Sequence, residues 1–226
     1  MLKYFYYIRY FVYIAWNWNV QLALFTIYHE IRGERKYNLS TSRLSTLAEL
    51  SLTGPNFTHA EIYQGASYFL LEQVFARLRT LHQTAAFTDV GCGRGRALAV
   101  AIHHGYSMVT GIDFAEELCR ESAAVCRKLL TRFPETNYRI VHADAAGFVF
   151  DDWMDLVYFF NPFDETVMRQ VLNNLLLSLQ KKPRALFVVY INPQYKHLFI
   201  LAGFTEVYYL RKIQYVEACI LKKPVK

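Results

Sequence analysis

The sequence predicts an α/β fold: an open, mostly parallel sheet covered by helices on both faces, closed by an antiparallel hairpin and preceded by a helical extension. Three observations predict it. From residue 67 onward, strand-like apolar runs alternate with segments of helical spacing. A glycine cluster joins the first strand to the helix after it. Two further strand-like runs, FTEVYYL and YVEACILKK, end the chain with only a few residues between them. Strand-helix alternation implies parallel neighbours joined by right-handed crossovers, whereas so short a link implies a reversal.

The chain has 226 residues, 54% of them hydrophobic and 19% charged, enough for one substantial core with an appended segment. The balance of 25 Lys and Arg against 19 Asp and Glu, a net charge of +6, permits nucleic acid without pointing to it. Cys92, Cys119, Cys126 and Cys219 form no CxxC pair. Cys119 and Cys126 fall about 10 Å apart on one helix, too far for a disulfide. Reduced thiols and a cytoplasmic setting are expected.

Residues 1–30, MLKYFYYIRYFVYIAWNWNVQLALFTIYHE, pack aromatic residues around a lone Arg9, with Asn17, Asn19 and Gln21 among them. They lack the basic start, aliphatic stretch and small-residue cleavage site of a signal peptide. Aromatics throughout and polar groups in the middle also depart from a spanning helix. One or two helices that bury a face are expected. The partner is the protein's own domain, a second copy, or a membrane surface, whose headgroup layer favours Trp and Tyr.

Residues 30–62 are polar and punctuated by Gly33, Gly54 and Pro55, and read as a connecting segment with a short helix over 42–51. The expected organisation is therefore an extension and connector over 1–62 and an α/β domain over 63–226. Within the domain, helical spacing covers 67–82, 97–104, 116–132, 165–179 and 194–201. Strands are expected at 87–90, 108–112, 138–142, 156–160 and 185–191. Ligands of such sheets bind at the carboxyl ends of the strands.

The first strand end reads FTDVGCGRGR, with Gly91, Gly93 and Gly95 directly ahead of a helix. Glycine lets backbone turn sharply and approach a ligand closely. A dinucleotide motif, GxGxxG, would need a third glycine where Arg96 stands. Asp89 would repel a pyrophosphate and suits a ligand carrying an ammonium. Asp113, ending the second strand in VTGIDF, can accept both hydroxyls of a ribose. Asp144, after the third strand in HADAAGF, is placed for the amine of an adenine. Each acid alone could equally cap a helix or fill a turn.

DVGCGRGR, GIDF, HADA and FFNPF, over about residues 60–223, resemble the class I S-adenosylmethionine-dependent methyltransferases. With VVYINP, they are similar to bacterial members of unassigned substrate. The resemblance implies a Rossmann-like, seven-stranded sheet with a reversed final strand and S-adenosyl-L-methionine as cofactor. It implies that Asp89 and the glycine loop hold the methionine part, Asp113 the ribose, and Asp144 with Ala145 the adenine. Phe114, next to Asp113, is counted with them. In members that methylate amines, the fourth strand ends in Asp or Asn, two prolines and an aromatic. Here Asn161 and Pro162 match, whereas Phe163 replaces the second proline and Asp164 the aromatic. Asn161, Pro162 and Phe163 are the catalytic candidates, with Asn161 orienting an acceptor and Phe163 walling its pocket.

Tyr63, and Asn192 with Pro193 after the fifth strand, are weaker candidates for the same mouth. His103 and His104 are expected to face solvent, and no histidine pair has metal-ligand spacing. The implied function is methyl transfer to nitrogen or oxygen of a small molecule or protein side chain. The alternatives are an NAD(P)-binding oxidoreductase and a non-catalytic cofactor binder.

Overall fold

The structure is a computed structural model that describes residues 2–41, 65–160 and 163–225. Two helices come first, α1 (Leu2–Asn17) and α2 (Val20–Tyr37). They form an antiparallel hairpin because Asn19 cannot continue α1: its extended backbone (φ −164°) caps α2, and its side chain accepts from the Leu22 amide at 2.7 Å. α2 extends eight residues into the segment expected to be a connector. Gly33 does not punctuate there. It lies under Tyr68, whose ring and Cβ occupy the space a side chain would need, so glycine permits a close helix crossing. The helix stops instead at Asn38, in the left-handed region (φ 52°), whose amide bonds the Glu34 carbonyl.

The domain continues with α3 (Tyr68–Leu81), β1 (Ala86–Val90), α4 (Arg96–His103), β2 (Met108–Asp113), α5 (Glu116–Leu129), β3 (Asn137–His142) and a 3-10 turn (Ala145–Gly147). Next come β4 (Leu156–Phe160), α6 (Glu165–Lys181), β5 (Leu186–Ile191), α7 (Lys196–Leu201), β6 (Thr205–Ile213) and β7 (Val216–Lys223). One sheet has the order β3-β2-β1-β4-β5-β7-β6. Strands β1 to β5 pair in parallel, while β7 pairs antiparallel with both β5 and β6. The expected short helix over 42–51, the boundary at 62–63 and Tyr63 lie outside the described residues.

Alternate residues of the central strands feed two cores, as the pleat requires. Tyr158, Val189, Ile191 and Ile220 join Leu71, Phe75 and Leu98 on one face. Val157, Phe159, Val188 and Tyr190 join Met168, Leu175 and Phe199 on the other. Tyr10, Ile14, Ala23 and Tyr37 extend the first core, so the amino-terminal hairpin buries a face against its own domain. His103 and His104 do not face solvent. His103 bonds the Ala99 carbonyl and lies edge-on to Tyr37 and Phe133, while His104 stacks on Phe75. Burial, as the larger cause, and nearby Arg132 and Lys36 hold the His103 pKa below its usual value.

Candidate active site

The sheet's topological switch point lies between β1, whose chain runs on to β2, and β4, which leads to β5 on the other side. Val90 and Phe159 pair across it, so the carboxyl ends of β1, which leads into the glycine loop, and of β4 lie side by side. Asn161 and Pro162 themselves lie outside the described residues.

Gly91, Gly93 and Gly95 all have positive φ, at 80°, 51° and 76°, so the loop uses a conformation that a side chain would strain. The loop is tied down on the β2 side. The amides of Gly91 and Cys92 bond the Ile112 carbonyl at 2.8 and 3.0 Å, and the Gly93 amide donates to Asp113 Oδ2 at 2.8 Å. Cys92 packs below the loop, its thiol pushed well up by burial and by Asp113, which makes it a packing residue and not a nucleophile.

Asp113 also accepts from the Ala115 amide through Oδ1 at 2.9 Å. Burial raises its pKa even though the Ala115, Gly93 and Phe114 amides and nearby His142 favour the carboxylate. Asp89, fully inside β1, is raised further by burial and by Asp113. Two carboxylates held close in a dry site favour a cation, which would relieve both the desolvation and their mutual repulsion. S-adenosylmethionine, with its ammonium and sulfonium, fits that donor set. A pyrophosphate does not.

Phe114 is half-buried beyond Asp113, and its carbonyl lies 2.9 Å from His142 Nε2. Asp144 caps the 3-10 turn, its Oδ1 accepting from the Ala146 amide at 2.9 Å, and Ala145 is buried at the start of that turn. At the fourth strand end, Phe163 is half-buried against the second core. Asp164 caps α6, accepting from the Val167 amide at 3.0 Å. A helix that starts this soon after the strand needs a cap, which explains an acid where amine-methylating relatives carry an aromatic.

One feature escaped the sequence reading. Arg96, legible only as a missing glycine, opens α4 directly after the loop and is buried. It makes paired 2.8 Å bonds to Glu30, a further 2.9 Å bond to Thr41 Oγ1 and one of 2.8 Å to the Ala66 carbonyl. Its guanidinium sits 4.3 Å over the Tyr68 ring. Thr41 also donates its amide to Glu34, which accepts the Tyr7 hydroxyl at 2.6 Å. The amino-terminal hairpin is thereby bolted to the glycine loop. A signal was present, since Glu30 and Glu34 are the carboxylates of residues 1–37 and stand one turn apart on one helix face. Asn192, a weaker candidate from the sequence, has left-handed backbone (φ 48°) just past β5, and its side-chain oxygen is buried with no hydrogen-bond partner among the described residues. Phe160 and Ile191, which precede Asn161 and Asn192, pair directly.

Residues 87–182 match the family model of a methyltransferase domain. Solved structures share the fold at low identity. "Putative methyltransferase yhhF" from Escherichia coli superposes with a TM-score of 0.56 at 14% identity, covering 74% of this chain and 92% of its own. A "putative RNA methyltransferase" from Pyrococcus horikoshii gives 0.52 at 16% identity, covering 78% and 93%. The methyltransferase domain of a bacterial Hen1 protein gives 0.53 at 13% identity, covering 69% and 97%. No curated protein matches the chain. The sheet order, with its reversed β7, differs from the all-parallel dinucleotide arrangement. Over residues 87–182 the chain is thus similar to a methyltransferase domain, and its fold is the one these solved methyltransferases share.

Proposed function

We propose that the protein transfers a methyl group from S-adenosylmethionine to a nitrogen or oxygen nucleophile of a small molecule or protein side chain, with nitrogen favoured. The observation that supports this is the pairing of β1 and β4 at the switch point, which puts the carboxyl end of the strand that leads into the glycine loop next to that of the strand preceding Asn161 in sequence. Asp89 and the loop backbone would receive the charged methionine part, Asp113 the ribose hydroxyls, and Asp144 with Ala145 the adenine. When bound, the cofactor supplies an electrophilic methyl group on a sulfonium.

The protein's contribution is alignment. Displacement at a methyl carbon is in-line, so holding the nucleophile's lone pair on that axis supplies much of the rate. The Asn161 carboxamide would accept an N–H of the acceptor and turn its lone pair toward the methyl group. Phe163 would wall the pocket. Asn192 supports the nitrogen reading: at the end of β5, next to β4, its buried side-chain oxygen has no hydrogen-bond partner among the described residues and could accept an N–H.

Methyl transfer from radiolabelled S-adenosylmethionine, measured against pooled amines, alcohols and proteins, tests the reading. Asn161→Ala should lower turnover by about a hundredfold while leaving cofactor Kd within about twofold. Equal loss of turnover and cofactor binding would make Asn161 structural. Undiminished cofactor binding with no transfer to any acceptor class would favour a binder without turnover.

A further inference from the structure

The outer face of the amino-terminal hairpin carries apolar side chains that the core does not use. On α1, Phe5, Ile8, Val12 and Trp16 run along one side, with Trp16 88% exposed, Ile8 62% and Phe5 60%. On α2, Val20, Leu24 and Tyr28 repeat at intervals of four, all exposed. These positions form helical stripes opposite the buried Tyr10, Ile14, Leu22 and Ala23. The surface does not end with the hairpin. Trp18, at its bend, lies edge-on to Tyr13 at 5.7 Å and to Tyr215 at 6.4 Å. Tyr215 is half-exposed in the β6–β7 turn. Because β6 runs with β1 to β5, that turn is at the carboxyl end of the sheet, where the glycine loop also lies.

Among the described residues, the exposed charges within the two apolar stripes themselves are cationic. Residues 2–29 contain no Asp or Glu, and α2's own carboxylates, Glu30 and Glu34, are buried in the Arg96 network. Arg9 is exposed within the α1 stripe, and Arg32 and Lys212 are exposed beside α2. Both join burial, the larger cause, in lowering the His29 pKa, against Glu72 of α3, which raises it. Among the described residues no helix is long and apolar enough to cross a membrane.

We propose that this face docks on an anionic lipid surface, lying in the headgroup layer without spanning it. Exposed Trp and Tyr at the edge of an aliphatic stripe suit the boundary between headgroups and acyl chains, and the surrounding cations meet anionic headgroups. A second copy fits less well: an isologous contact would bring two cationic rims together with no carboxylate on the face to meet them. Docked this way, the β6–β7 turn sits against the bilayer and the strand-end rim opens beside it.

The test uses the full chain without cofactor, so its outcome is independent of the methyl-transfer reading. Co-sedimentation is compared on phosphatidylcholine vesicles with and without phosphatidylglycerol. Binding should require the anionic lipid, shift the tryptophan emission to the blue, and weaken with salt. An Ile8→Glu, Trp16→Glu double variant, altered only at exposed positions, should lose roughly tenfold or more in partition while keeping its thermal midpoint. Lys212→Ala should lose up to about fivefold. Absence of binding to anionic vesicles, or binding indifferent to these variants, overturns the proposal. So does a concentration-dependent dimer that the double variant abolishes, because the face would then belong to a second copy.

Discussion

Arg96→Met should lower the unfolding free energy by about 3–5 kcal/mol, the usual cost of breaking a buried ion pair from one side. Glu30 is 2% exposed and Arg96 3%, so a carboxylate left without its guanidinium has no route to water short of opening the hairpin. Arg96 also serves Thr41, the Ala66 carbonyl and the Tyr68 face, so one substitution unsettles several contacts. The loss should fall on the hairpin first, with amide exchange in α1 and α2 accelerating more than in the central strands. An Arg96→Met, Glu30→Met double variant should regain much of the stability, because replacing a buried pair by apolar side chains is often neutral or better. If the double variant is as unstable as the single, the pair is not the bolt described here. Because Arg96 directly follows Gly95, the single variant should also weaken cofactor binding.

Asp89→Asn should stabilise the ligand-free protein and cripple the site. The folded pKa of Asp89 is raised by burial and by Asp113, so the folded state holds its proton more tightly than the unfolded chain. The stability this group contributes is complete below the unfolded carboxylate pKa, about 3.9, and is lost as pH rises through the raised folded value. Asparagine removes that loss at neutral pH, and thermal melts of the ligand-free variant should show a higher midpoint than the parent at pH 7. Binding responds in the opposite direction. A cationic ligand favours the ionised carboxylate, so affinity for S-adenosylmethionine should tighten as pH rises through that same interval. Asp89→Asn should flatten the pH dependence and weaken binding by about 1.5–3 kcal/mol, roughly ten- to hundredfold. A destabilised ligand-free variant would mean that Asp89 is held ionised by partners in the folded protein.

Most of the sheet was legible because its strands are short, apolar and bounded by turn residues, and because each leads into a helix. The strand-end acids at 89, 113 and 144 were legible as a series. What local pattern could not reveal was the use of long-range partners. Arg96 finds Glu30 at a separation of 66 residues, and no window on the sequence spans that distance. Gly33 looked like punctuation because the ring that crowds it belongs to Tyr68, on another helix. His103 and His104 looked solvent-facing because α4 ends there, yet the amino-terminal hairpin and α3 supply the aromatic rings that cover them. Asp164 departed from the resembled motif for a local reason: it caps α6, accepting from the Val167 amide.

Calorimetric titration of the full chain with S-adenosylmethionine and, separately, with NAD tests the central claim most directly. The expected result is micromolar binding of S-adenosylmethionine, none of NAD, and a loss of tenfold or more in Asp113→Ala, roughly the worth of hydrogen bonds to a charged group. Failure to bind S-adenosylmethionine, or tighter binding of NAD, would contradict it.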